Sequence, residues 1–88
     1  MPGAPRESFA KVRREHVDAA CERVLAAGVQ RSGSYFIRYR DVELPAKRVL
    51  REAVKLATGA EISADQFSGG VYTARILEAL GCEVVVRN

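Results

Sequence analysis

The sequence predicts a small α+β domain in the order α-β-β-α-α-β, with a three-stranded sheet packed on helices. Three observations predict it. Apolar residues recur at helical spacing in three separate stretches. Aromatic and β-branched residues alternate from Tyr35 to Arg40 and close the chain in Val84-Val85-Val86. A length of 88 residues gives room for one domain. A chain this short buries roughly 60–65 % of its unfolded surface, so its core is small.

Residues 1–13 are expected to be a basic flexible tail or an extension of the first helix, and 14–88 the folded domain. The first five residues hold two prolines and a glycine. The first firm helix is expected from Arg14 to Ala27. Val17, Ala20, Cys21, Val24 and Leu25 form its apolar stripe, and Gly28 ends it. Gln30 to Ser34 is a polar connection.

Tyr35 to Arg40 then reads as a strand. Tyr35, Ile37 and Tyr39 form its uncharged face, the better candidate for the core. Phe36, Arg38 and Arg40 form the other, which would leave an aromatic exposed between arginines. A turn around Asp41 leads to a brief second strand, Val42 to Leu44.

Pro45 sits where the second helix would start, because a missing N–H costs nothing in a first turn. Ala46, Val49, Leu50, Ala53, Val54 and Ala57 recur on one face of that helix, and Gly59 can turn left-handed to stop it. The opposite face carries Lys47, Arg48, Arg51 and Lys55, with Glu52 as the one acid among them.

Ala60 to Gly70 is expected to be a loop. Ser63-Ala64-Asp65-Gln66 has the form of a capping box, and Phe67 is expected to anchor the loop in the core. The third helix follows from about Val71 to Leu80, with Tyr72, Ile76, Leu77 and Leu80 inward, and Gly81 closes it. Glu83 to Arg87 reads as the last strand.

Composition narrows the functional classes. No apolar run approaches the ~20 residues that span a bilayer. The N-terminal stretch has no apolar segment of a signal peptide, so a cytoplasmic protein is expected. Cys21 and Cys82 read as reduced core thiols, and their spacing requires no disulfide. One histidine and no CxxC pair give no metal site, and no cofactor motif is present. His16 reads as a first-turn helix residue. No nucleophile–base pair is evident, so no enzyme is expected.

Net charge is +3, and its distribution says more than its size. Tyr35 to Lys55 holds six cations and three anions. Leu56 to Asn88 holds two cations and four anions. One basic side is the electrostatic footprint of a polyanion binder. The bland alternative is a solvated helix face, since lysine and arginine are good helix formers. Arg38 and Arg40 beside Phe36 favour nucleic acid, because aromatics interleaved with arginines stack bases and hold phosphates. Ser68-Gly69-Gly70, just before the third helix, is a further candidate for anion contact through free backbone N–H groups. Paired glycines at a helix entry also serve backbone geometry alone.

Three motifs carry a resemblance. They are Leu44-Pro45-Ala46-Lys47-Arg48-Val49, then Phe67-Ser68-Gly69-Gly70, then Leu77-Glu78-Ala79-Leu80-Gly81-Cys82-Glu83-Val84-Val85. In order and spacing they resemble the N-terminal head domain of McrA-like HNH restriction endonucleases, here as a stand-alone chain. Leu44 stands where that family often has tyrosine, Cys82 where it has phenylalanine, and Arg48 where a small residue is common. The resemblance implies a restriction or phage-defence setting and the reading of modified DNA. It singles out Lys47 as the charged position that matches. It does not imply cleavage, because the 88 residues hold no HNH segment.

Two readings follow. In the first, the chain is a non-catalytic DNA-binding module whose Lys47, Arg48, Arg51, Lys55, Arg38 and Arg40 hold the backbone, with Phe36 stacking or wedging. In the second, it is a protein-interaction adaptor that dimerises or docks on a nuclease, an ATPase or a phage protein. A helix-turn-helix regulator fits less well, because the loop between helices two and three far exceeds the 3–4 residues of such a turn.

Overall fold

The computed structural model describes residues 9–28, 33–59 and 71–87. Its elements are α1 (Arg14–Ala27), β1 (Tyr35–Tyr39), β2 (Val42–Pro45), α2 (Ala46–Thr58), α3 (Val71–Ala79) and β3 (Glu83–Val86). This is the expected α+β order. The expected capping box, the Phe67 anchor and Ser68-Gly69-Gly70 lie outside the described residues.

The sheet is antiparallel, in the order β2-β1-β3. β1 pairs with β2 through Ile37↔Leu44 and Tyr39↔Val42, and with β3 through Phe36↔Val85 and Ile37↔Val84. Side chains alternate along a strand, so this register puts Tyr35, Ile37, Tyr39, Val42, Leu44 and Val84 on one face. Ile37 and Leu44 are buried there, and the other four pack against the same core. That core is completed by Val17, Ala20, Cys21 and Val24 of α1 and by Ala46, Val49, Leu50, Ala53 and Val54 of α2. The two helices therefore cover one face of the sheet. Fully burying each large apolar side chain in this layer contributes about 1.5–3 kcal/mol.

The hairpin between β1 and β2 turns on two residues, Arg40 (φ 51) and Asp41 (φ 65). Positive φ at both central positions matches the right-handed twist of the flanking strands. Asparagine and glycine usually fill these positions, and an Arg-Asp pair gave no such signal. Arg40 therefore stands in the turn and not on the strand, which corrects the expected Phe36–Arg38–Arg40 face.

β2 runs one residue further than expected. Pro45 is its last residue, and α2 begins at Ala46 with no loop between them. Of the six expected inward positions on α2, Ala46 to Val54 are buried and Ala57 is half-buried. Gly59, left-handed at φ 78, donates its N–H to the Lys55 carbonyl and ends the helix.

On α3 three of the four expected inward residues face the core, Leu77 buried and Ile76 and Leu80 packed against it, and Tyr72 is the exception. Thr73, Ala74 and Leu77 are buried, whereas Tyr72 is 41 % exposed and rests its ring near Phe9. The C-terminus of α3 closes in a Schellman arrangement. The Cys82 N–H donates to the Leu77 carbonyl and the Gly81 N–H to that of Glu78. Gly81 takes φ 90 there.

Phe9 and Val12 lie within the stretch expected to be a tail or a helix extension. Both are buried in the core. A turn at Lys11 separates Phe9-Ala10, which are helical, from α1.

Candidate nucleic-acid interface

α2 separates its two faces cleanly. A helix advances 100° per residue, so Lys47, Arg48, Arg51 and Lys55 fall together on the side away from Leu50 and Ala53. Arg51 is exposed, and Lys47, Arg48 and Lys55 are half-buried. Arg48 reaches back to the Gly28 carbonyl at the end of α1 (Nη1···O 3.4 Å). Lys47, Arg51 and Lys55 each interact within the molecule as well. An ammonium group carries three N–H donors and a guanidinium five.

Glu52 is the one acid on this helix, and Arg23 of α1 engages it at 3.1 Å. The pair draws the carboxylate toward α1. Sequence reading had no means of finding Arg23, because the pair spans 29 residues.

The arginines of the hairpin sit differently. Arg38 leaves β1 on the sheet face opposite the helices. Glu43 and Glu83 are its cross-strand neighbours in register, and Arg38 lies 3.5 Å from each carboxylate. Arg87 grips Glu43 with two nitrogens, Nε at 3.1 Å and Nη2 closer still. That bond favours the charged guanidinium and raises the Arg87 pKa. The outer face of the sheet thus carries two arginines and two glutamates in one alternating network. Arg40 turns to the other side, 3.1 Å from Glu22 of α1 and with its guanidinium over the Tyr39 ring. The Tyr39 hydroxyl donates to the same Glu22 carboxylate, which raises the phenol's pKa by favouring its neutral form.

Phe36 is 2 % exposed and cannot stack on a base. It shares the outer face with Arg38, but Pro45 and Val85 flank it in register. The expected exposed aromatic is therefore a buried one, walled by residues distant in sequence. The structure does not join Arg38 to the cations of α2, because the sheet lies between them.

Two side chains at the start of α1 serve the fold. Arg14 opens α1, where a cation opposes the helix dipole. Its guanidinium crosses to the carbonyl ends of α3, donating to Gly81 (2.9 Å) and Leu80 (3.4 Å), and pairs with Asp18 (3.1 Å). The hydrogen bond to Asp18 raises its pKa. His16 accepts the Arg13 backbone N–H on Nδ1 at 2.9 Å, which ties down the first turn. Cys21 and Cys82 are both thiols. Burial pushes the Cys21 thiol up to about 12, and raises Cys82 in the same direction. Neither is poised as a nucleophile. Among the described residues, no group of three His, Cys, Asp or Glu side chains could hold a metal ion. No helix among them is long and apolar enough to cross a membrane.

One family model matches the chain, over residues 10–86; its description is ScoMcrA-like, N-terminal head domain. No curated protein and no solved structure matches.

Proposed function

The chain belongs to the ScoMcrA-like N-terminal head domain family, and from that premise we propose that it is a non-catalytic module that holds DNA by its phosphate backbone. The supporting observation is the division of α2. One side is fixed in the core at zero exposure from Ala46 to Val54, and the other presents Lys47, Arg48, Arg51 and Lys55. A rigid helix holds these cations along one side, with steps of three and four residues from Arg48 to Arg51, Lys47 to Arg51 and Arg51 to Lys55, over about 12 Å of its length. A run of phosphates can neutralise them together and release counterions. Arg38 and Arg40 are committed to carboxylates and play a smaller part in this reading. The setting is restriction or phage defence, with catalysis supplied by another domain or chain and with modified DNA as a candidate ligand.

Fluorescence anisotropy of labelled duplexes, plain and modified, tests this reading at low and near-physiological salt. The expected result is binding whose log affinity falls linearly with log salt, by about 0.9 for each phosphate neutralised. A preference among the duplexes would identify the modification read. No binding at low salt would overturn the proposal.

A further inference from the structure

Among the described residues, the outer edge of β3 carries no further strand. Along β3 the Arg87 N–H donates to the Ser34 carbonyl at 2.6 Å. Ser34 and Arg87 continue the register Tyr35↔Val86 and Phe36↔Val85. In an antiparallel ladder, alternate residues direct their backbone groups to the same side. Glu83, Val85 and Arg87 therefore bond toward β1, and Val84 and Val86 direct their N–H and C=O groups away from it. Among the described residues β3 is paired on one side only. Val86 is 57 % exposed. Such an edge is a template for another strand.

The sequence of the edge selects its occupant. Glu83-Val84-Val85-Val86-Arg87 has an acid at one end, a base at the other and three valines between. From these features the geometry points to a symmetric dimer, with β3 antiparallel to β3 of a second copy and the two-fold axis at Val85. In that register Val84 of each copy meets Val86 of the other. These are the residues whose backbone groups are directed outward, so both sides of the pairing are satisfied. Glu83 of each copy meets Arg87 of the other at a pair without backbone bonds, where side chains lie closest. Moving the axis to Val84 sets Glu83 against Val85 and gives up both charge matches. Moving it by half a step opposes outward-directed backbone groups with inward-directed ones.

The same register continues the network on the outer face. Within one copy the charges run Arg87, Glu43, Arg38, Glu83. The dimer places Arg87 of the second copy next to Glu83, so the alternation of sign crosses the axis unbroken. The result is one six-stranded sheet with an α2 helix in each half.

Sedimentation velocity of the full chain without DNA, from micromolar to near-millimolar concentration, tests the dimer apart from the DNA reading. A concentration-dependent monomer–dimer equilibrium is expected. Val86→Lys puts a charge on the outer edge at a position already exposed, and should raise the dimer Kd by about tenfold or more. Circular dichroism should show its fold unchanged. Val85→Cys, made together with Cys82→Ser, places a thiol opposite its own copy and should give a reducible covalent dimer under mild oxidation. A wild-type chain that stays monomeric throughout overturns the proposal. So does a Val86→Lys variant that dimerises like wild type, or a dimer that Val85→Cys fails to cross-link.

Discussion

The solvent side of α2 and the outer face of the sheet carry the same kinds of residue to different ends. Each presents arginines to the outside. On α2 a single carboxylate, Glu52, accompanies four cations, and Arg23 engages it from the neighbouring helix. On the sheet two carboxylates, Glu43 and Glu83, accompany Arg38 and Arg87, and every one of the four has an opposite charge within 3.5 Å. Within its own element the first surface is mostly positive, and the second is matched charge for charge. A count of basic residues along the chain gives both the same weight. What separates them is which strands the sheet sets side by side.

The widest gap between the two surfaces should appear on removing the α2 cations together. Lys47→Ala, Arg51→Ala and Lys55→Ala combined should lower the salt slope of duplex binding by about 3, one unit for each phosphate no longer neutralised. Thermal unfolding should confirm that the fold is kept. Binding left intact in this variant would erase the distinction.

Glu43→Gln attacks the balanced side. It takes the shared carboxylate from both Arg38 and Arg87, and Glu43 is only 13 % exposed along its side chain. The loss should be on the order of 1 kcal/mol, which lowers Tm by roughly 4–8 °C in a domain of this size. An unchanged Tm would mean that the network adds nothing to stability.

A smaller effect is expected beneath the helices, where Cys21 is held as a neutral thiol. Its folded-state pKa lies near 12 against an ordinary 9.0. Below pH 9 both folded and unfolded chains keep the proton, so the thiol adds no pH dependence. Between pH 9 and about 12 the unfolded chain releases the proton first, and stability falls with rising pH. Denaturant titrations of wild type and Cys21→Ala across that range should converge as the pH rises. Parallel curves would show that the thiol does not titrate as its burial demands.

The smallest change should follow Arg38→Ala. Duplex affinity should stay within about twofold of wild type, because the charge removed is already balanced by carboxylates. A salt slope lowered by a full unit would place Arg38 on DNA after all.

Legibility in the sequence followed the range of the interactions. The inward face of α2 was readable because helical periodicity is local, and its glycine stop depends on one residue. Element order and the choice of Tyr35, Ile37 and Tyr39 as core side also followed from local pattern. Phe36 was misplaced because its cover, Pro45 and Val85, comes from two other strands. An aromatic next to arginines looks the same whether its neighbours are water or protein. Arg40 was misplaced because its turn lacks the glycine that marks a two-residue hairpin. Phe9 and Val12 escaped notice because two apolar residues in a basic stretch make no period. On α3 Tyr72 was misplaced while Ile76, Leu77 and Leu80 were not, because the first turn of a nine-residue helix with mixed apolar residues admits several inward faces. Thr73, fully buried, is not a residue that apolar patterning would choose.

The direct passage from Pro45 to Ala46 makes the domain intolerant of insertions at one point. A connecting loop would absorb an added residue by bulging outward. Here one residue gained at the junction would turn every later position of α2 by 100° relative to the sheet. Arg48 would then take the bearing of Val49, and Arg51 and Glu52 would move toward the interior. Length variation in related chains is therefore expected in the connections on either side of the hairpin–helix unit and to be rare within it. The hairpin and the helix should be inherited as one block of fixed length.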